Sequence, residues 1–231
     1  AADREAGQVE EEFAPSCVDC GLSGCADGSG RYPSFCATAR LGKGAVDELR
    51  AAYAEPSLHR VMVAASETMS LSLKRHWCRV EETIDFAKRM GWTKLGVAVC
   101  SGLIEEGRIL ARVLRANGFE VHGIACKVGS LSKRDLGLVE SCCDFGAVSC
   151  DPVLQARLLN EAEVQLVIVV GMCVGHDLVF QTHCEAPCTV LVTKDRALLH
   201  NPAAALHAVG SSSAYDRMTR GTEPYGEECC C

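Results

Sequence analysis

At 231 residues and 24.7 kDa the chain is long enough for one sizeable core with an appendage and too short for two full domains. Hydrophobic residues make up 48% of it and aromatics only 5%, so aliphatic side chains must fill the interior, as they do under a parallel sheet. A formal charge of -7 leaves no electrostatic footprint for nucleic acid or an anionic membrane surface, since both call for clustered Lys and Arg.

Residues 1–15 are polar, acidic and aperiodic, without the basic-then-apolar pattern of a secretion signal, and are expected to form a disordered tail. Residues 16–44 are mostly Gly, Ser, Asp and Cys, with too few aliphatic side chains to fold unaided. The α/β domain is expected over 45–210, beginning with an α-hairpin. Val46, Leu49, Ala52 and Tyr53 recur at spacings of three and four, Pro56 interrupts, and the pattern resumes from Leu58 to Lys74. Apolar strand runs then alternate with amphipathic helices. A helix over 80–90 stops at Gly91 and a strand follows over 94–100; a helix over 104–116 stops at Asn117-Gly118 and a strand follows over 120–126. A short helical turn is expected near 133–139, a helix from Pro152 to 162, and strands over 165–171 and 189–193. Repeated βα units of this size predict a Rossmann-like or flavodoxin-like parallel sheet of about four to five strands with helices on both faces. Residues 211–231 read as a flexible C-terminal tail. No apolar run approaches the roughly 18 residues of a membrane helix, so no membrane partner is expected and the location is read as cytoplasmic. In a reducing compartment 16 cysteines are not a disulfide framework, which leaves metal or redox chemistry.

Two groups of cysteines carry that chemistry. Cys17, Cys20, Cys25 and Cys36 are spaced C-x2-C-x4-C-x10-C. The CxxC pair puts two thiolates on one tight turn, and the other two complete a tetrahedral or cubane set. Four soft ligands suit zinc or an iron–sulfur cluster and exclude calcium and magnesium, and the metal would supply the folding free energy that this segment lacks. Spacing alone does not choose between a 4Fe–4S cluster and a zinc knuckle.

The second group depends on the fold. Cys100, Cys126 and Cys173 follow apolar strands, and the carboxyl ends of parallel strands share one edge, where ligands bind. Cys150, before the helix start at Asp151-Pro152, reaches the same rim. Helices beginning after Cys100 and Cys173 favour their thiolates. Gly171 and Gly175 permit a tight strand-to-helix turn around Cys173, where His176 and Asp177 are candidate acid/base groups or ligands, or else a backbone partner and a helix cap. Lys194-Asp195-Arg196 and His200-Asn201-Pro202, beyond the last strand, are placed to hold an anion or to form a solvated turn. Each strand-end cysteine taken singly also reads as a small buried hydrophobe. Cys142, Cys143, Cys184, Cys188 and Cys229 to Cys231 follow no metal-ligand pattern, and Cys78 reads as packing within a helix.

The segments Arg79-Val80-Glu81-Glu82 before Asp85-Phe86-Ala87, Leu95-Gly96-Val97-Ala98-Val99-Cys100, Asn117-Gly118-Phe119-Glu120-Val121 and, above all, Cys173-Val174-Gly175-His176-Asp177 with Lys194-Asp195-Arg196 and His200-Asn201-Pro202 resemble the DUF1847 family of cysteine-rich, metal-binding proteins of anaerobic prokaryotes. The resemblance implies metal binding at both cysteine groups and names no substrate. The leading expectation is an iron–sulfur protein with one or two clusters, performing redox, reductive or sulfur-transfer chemistry on a small molecule, with a redox partner where electrons are exchanged. A non-catalytic zinc or soft-metal protein and a sulfurtransferase using Cys173, His176 and Asp177 are the alternatives.

Overall fold

The computed structural model describes residues 14–138, 146–211, 215 and 217–219. These fall into two compact units divided after Met62. In the first, the cysteine-rich segment forms short pieces: a 3-10 turn at Cys17–Asp19, α1 at Gly24–Asp27 and α2 at Ala37–Arg40, followed by the longer α3 at Lys43–Ala54. Gly24 cannot carry a side chain, because a Cβ there would lie 2.1 Å from the Arg31 carbonyl oxygen. Pro56 ends one helical run and opens the next, α4 at Pro56–Arg75, where its missing N–H costs nothing; the division between the units falls within this helix.

In the second unit, α5 at Arg79–Arg89 leads into β1 at Lys94–Val99. Then come α6 at Ile104–Ala116, β2 at Glu120–Ala125, α7 at Pro152–Glu161, β3 at Leu166–Val170, α8 at His176–His183, β4 at Cys188–Val192 and α9 at Ala203–Ala208. The four strands form one parallel sheet in the order β2-β1-β3-β4. The strand period divides the interior into two layers. Leu95, Val97, Val99, Ile168 and Val170 face Ile84 and Ala87 of α5 and Leu110 and Leu114 of α6. Ala98, Val167 and Val169 face Ala156 and Leu159 of α7 and the fully buried Phe180 of α8. On that second face β1 carries Lys94, Gly96 and Ala98, and a Cβ on Gly96 would stand 3.1–3.2 Å from Val164, Val167 and Leu159.

The architecture predicted from hydrophobic period is thus the observed one, with four strands. β1 and β2 each end one residue before the predicted boundary. Cys100 and Cys126 still donate their N–H groups to the ladder, to Val170 and Val99, but their carbonyls have left it. The helical turn expected near 133–139 is instead a run of turns beside an isolated antiparallel bridge, Ser132–Val148, with Val139 outside the described residues. Cys78 is exposed as the N-cap of α5 rather than packed inside a helix. Among the described residues no helix is long and apolar enough to cross a membrane.

Of the described glycines, the one after β3 leaves the least room for a side chain. Gly171 has φ +73°, and a Cβ there would come 1.9 Å from Cδ1 of Leu103, the buried residue that precedes α6. Gly171→Ala is therefore expected to cost roughly 2–4 kcal/mol, from left-handed strain plus overpacking. A urea titration should show a lower midpoint at unchanged slope, whereas Gly123→Ala on β2, with open space around it, should shift the midpoint little.

Candidate functional site: cysteines at the carboxyl edge

Each strand-end cysteine is fixed by its backbone before its side chain does anything. The Cys100 N–H is held by the Val170 carbonyl at 2.9 Å and that of Cys126 by the Val99 carbonyl at 2.8 Å. The Cys126 carbonyl in turn accepts from the Asp151 N–H at 2.7 Å, and this bond carries the neighbouring Cys150 to Cys126 although 23 residues intervene. Asp151 caps α7 through Leu154, and Gln155 one turn on donates from Nε2 to the carbonyls of Ile124 and Val99, clamping the ends of β1 and β2 together. Cys173 rides on the Gly171 turn, ahead of Gly175, whose φ of +87° starts α8.

The result is convergence. Cys100, Cys126, Cys150 and Cys173 line one cavity of about 10 Å³, the room of a single water or ion, with Pro152, Met172 and His176 completing the wall. Cys126 and Cys150 have their Sγ atoms 3.5 Å apart. The Ser101 N–H, at the start of the turn into α6, donates to Cys126 Sγ at 3.2 Å. These contacts divide the thiols. Hydrogen bonding from Cys126, assisted by Lys127, lowers the Cys150 thiol to about 7 against the cost of burial, whereas Cys100 is pushed up by its contact with Cys126 and by burial. Arg196 donates from its guanidinium to Cys173 Sγ at 3.2 Å, an ion pair whenever that sulfur is a thiolate.

Above the cysteines opens a larger cavity of about 560 Å³. Among the described residues its wall includes Lys127, Lys133, Lys194 and Arg196 and no carboxylate, in contrast to the chain's net negative charge. Lys194 reaches it across bare backbone: its Nζ lies 3.3 Å from where a Gly102 Cβ would stand. Such a cavity suits a small anion.

His176 lies in the walls of both cavities. Asp177, the other predicted acid/base residue, accepts from the Leu178 N–H within its own helix turn, and no hydrogen bond joins it to His176. Asp195 and His200 build their own loop. Asp195 accepts from Ala197 and Leu198, and His200 Nδ1 accepts from the Asp195 N–H. Lys127 and Lys133 were not legible as site residues. Lys127 is adjacent to Cys126 and so was within reach of inference, whereas Lys133 arrives through the Ser132–Val148 bridge, which leaves no local signal.

In the first unit Cys17 and Cys25 are exposed, Cys20 is half-buried and Cys36 is buried. The Ala39 N–H at the start of α2 holds the Cys36 thiol below its ordinary range. Among the described residues no three His, Cys, Asp or Glu side chains are gathered around one point as a ready ligand shell, in either cysteine group. All eleven described cysteines are free; Cys142, Cys143 and Cys229 to Cys231 lie outside the described residues.

Cys126→Ala is expected to move the pH midpoint of Cys150 alkylation by iodoacetamide upward, from about 7 toward the ordinary thiol value near ~8.5, as the stabilising hydrogen bond is lost. Peptide mass mapping across a pH series reads this; an unchanged midpoint would mean that the contact does not activate Cys150.

Known sequences bear on these residues. The model for "Protein of unknown function (DUF1847)" matches residues 36–191, which include Cys36 and all four strand-end cysteines but not Cys17, Cys20, Cys25, Lys194 or Arg196. "Uncharacterized protein MJ0455" of Methanocaldococcus jannaschii is 41% identical over 129 residues, 56% of this chain and 66% of that protein. The chain thus spans just under two thirds of that relative's length. A family match over more than half the chain, taking in the whole cysteine-lined edge, makes this chain a member of the DUF1847 family.

Proposed function

We propose that this is a soft-metal protein in which Cys100, Cys126, Cys150 and Cys173 bind an iron–sulfur cluster or a single thiophilic ion, beneath a pocket that receives a small anion. The observation that carries it is the convergence of four thiols from separate chain segments on one ion-sized cavity. The donor set fits: all four ligands are soft, and the 3.5 Å between Cys126 and Cys150 is close to the roughly 3.8 Å edge of a tetrahedral set with metal–sulfur bonds of about 2.3 Å. The reading requires the Cys100 and Cys173 sulfurs to turn onto the same point. A bound cluster supplies one-electron chemistry, and a lone ion supplies polarisation of a bound anion. The chain's own part is to draw the anion in with Lys127, Lys133, Lys194 and Arg196, with the His176 imidazole in the wall beside it. We extend the proposal to a second metal set at Cys17, Cys20, Cys25 and Cys36. Its support is the spacing together with the scarcity of core, since Gly24 and Cys36 are the only buried positions recorded among the described residues up to Met62.

Anaerobic purification followed by iron, acid-labile sulfide and zinc analysis tests both sets. Brown protein with iron and sulfide in equal amounts is expected, and Cys126→Ser with Cys150→Ser should remove one set's share while leaving that of the N-terminal cysteines. Colourless protein with zinc alone overturns the cluster, and an unchanged metal content in the double variant overturns the strand-end site.

The contact of Arg196 with Cys173 favours a second reading, sulfur transfer. The Cys173 thiolate attacks the outer sulfur of thiosulfate, the sulfur–sulfur bond breaks, sulfite leaves with its electron pair, and Cys173 keeps a persulfide for an acceptor thiol. On this reading Arg196→Gln should slow sulfite release from thiosulfate by about 10-fold or more, the worth of one charge-assisted hydrogen bond. The absence of sulfite release by the unaltered protein rules the reading out.

A further inference from the structure

Cys184 and Cys188 take no part in the carboxyl-edge site. β4 runs parallel to its neighbours, so Cys188, its first residue, stands at the opposite edge of the sheet, and Cys184 is the C-cap of α8. The segment between them is Glu185-Ala186-Pro187, and both sulfurs turn onto the same atom: each Sγ is 3.5 Å from the Ala186 carbonyl oxygen. The backbone on both sides is pinned. Asn160 of α7 donates to the His183 carbonyl at 2.9 Å and accepts from the Glu185 N–H at 3.0 Å, while the Pro187 carbonyl accepts from Val167 of β3 at 2.9 Å. Both thiols are half-buried, hence open to a small reagent, and the two neighbours of Cys184, His183 and Glu185, line a cavity of about 470 Å³ with Arg157 and Glu161.

We propose that Cys184 and Cys188 form a second, separate dithiol site that low-molecular-weight disulfides oxidise to an intramolecular disulfide. The two thiols are inequivalent in the way the exchange requires. Hydrogen bonding from Cys188 lowers Cys184 to about 7, while the same contact and burial push Cys188 up. Cys184 is the attacking thiolate. It bonds to one sulfur of the oxidant and expels the other as thiolate. Cys188 then gives up its proton and attacks Cys184 of the mixed disulfide, expelling the second thiolate. The protein loses two electrons and two protons, and one oxidant disulfide becomes two thiols.

The test is reduced full-length protein treated with oxidised glutathione, blocked with iodoacetamide and mapped by mass spectrometry. Cleavage after Glu185 puts Cys184 and Cys188 on different peptides, and cleavage after Phe180 frees both from Cys173. Peptides that stay joined through Cys184 and Cys188 are the expected result. Cys184 and Cys188 recovered as separate alkylated or glutathionylated residues, or joined to other cysteines, overturn the proposal. In Cys188→Ala the expected oxidation product is Cys184 held as the glutathione mixed disulfide, and in the reduced variant, before oxidation, the Cys184 alkylation midpoint is expected to rise from about 7 toward ~8.5. An unchanged midpoint removes the inequivalence on which the exchange depends.

Discussion

Parallel pairing is the constraint on which everything at the carboxyl edge depends. In an all-parallel sheet every strand delivers its chain to the same edge, and each connection must return to the other edge before the next strand begins. Residues far apart in sequence but alike in position, just past the end of a strand, therefore become neighbours. Cys100 directly follows β1, Cys126 directly follows β2, and Cys173 follows β3 after the two intervening residues Gly171 and Met172. Because β1 is central, between β2 and β3, Cys100 has one strand-end cysteine on each side. The same polarity sends Cys188, at the start of β4, to the far edge, and keeps the two thiol sites apart.

Convergence of thiols alone would give a buried, inert cluster. Its electrostatic surroundings set this edge apart. A chain with 30 acidic and 23 basic side chains assembles a cavity wall that has, among the described residues, four cations and no carboxylate, and one of those cations touches a cysteine sulfur. A cation beside a thiol stabilises the form that binds metal or attacks an electrophile, and a ring of cations gathers anions. The irregular pairing of β4 contributes to this arrangement. Val169 pairs with Val190 and Val170 with Val192, so Leu191 is skipped just before the segment that carries Lys194 and Arg196. Bulges of this kind re-aim side chains next to functional sites.

Hydrophobic period is a local property, and it carried the sheet. The alternation Leu95, Val97, Val99 against Gly96 and Ala98, and the apolar run Leu166 to Val170, name strands buried on both faces without reference to anything distant. Once the strands were read as parallel, their common edge followed, and with it the grouping of Cys100, Cys126 and Cys173. The roles of polar residues followed less well. His176 and Asp177 are adjacent in sequence, yet a helix turn directs one into the pocket wall and ties the other to its own backbone. Lys133 enters through a loop whose path is set by one isolated bridge.

The sequence by itself determined the fold class and which cysteines would share an edge, because both follow from strand periodicity and the direction of βα connections. Only the tertiary structure decided what those cysteines do to one another. The 3.5 Å contact between Cys126 and Cys150 hangs on a single hydrogen bond from Asp151, and the pairing of Arg196 with Cys173 hangs on where a loop beyond β4 returns. Thiol acidity changes over a few ångströms, and distances on that scale between segments distant in sequence are set by packing rather than by any local pattern.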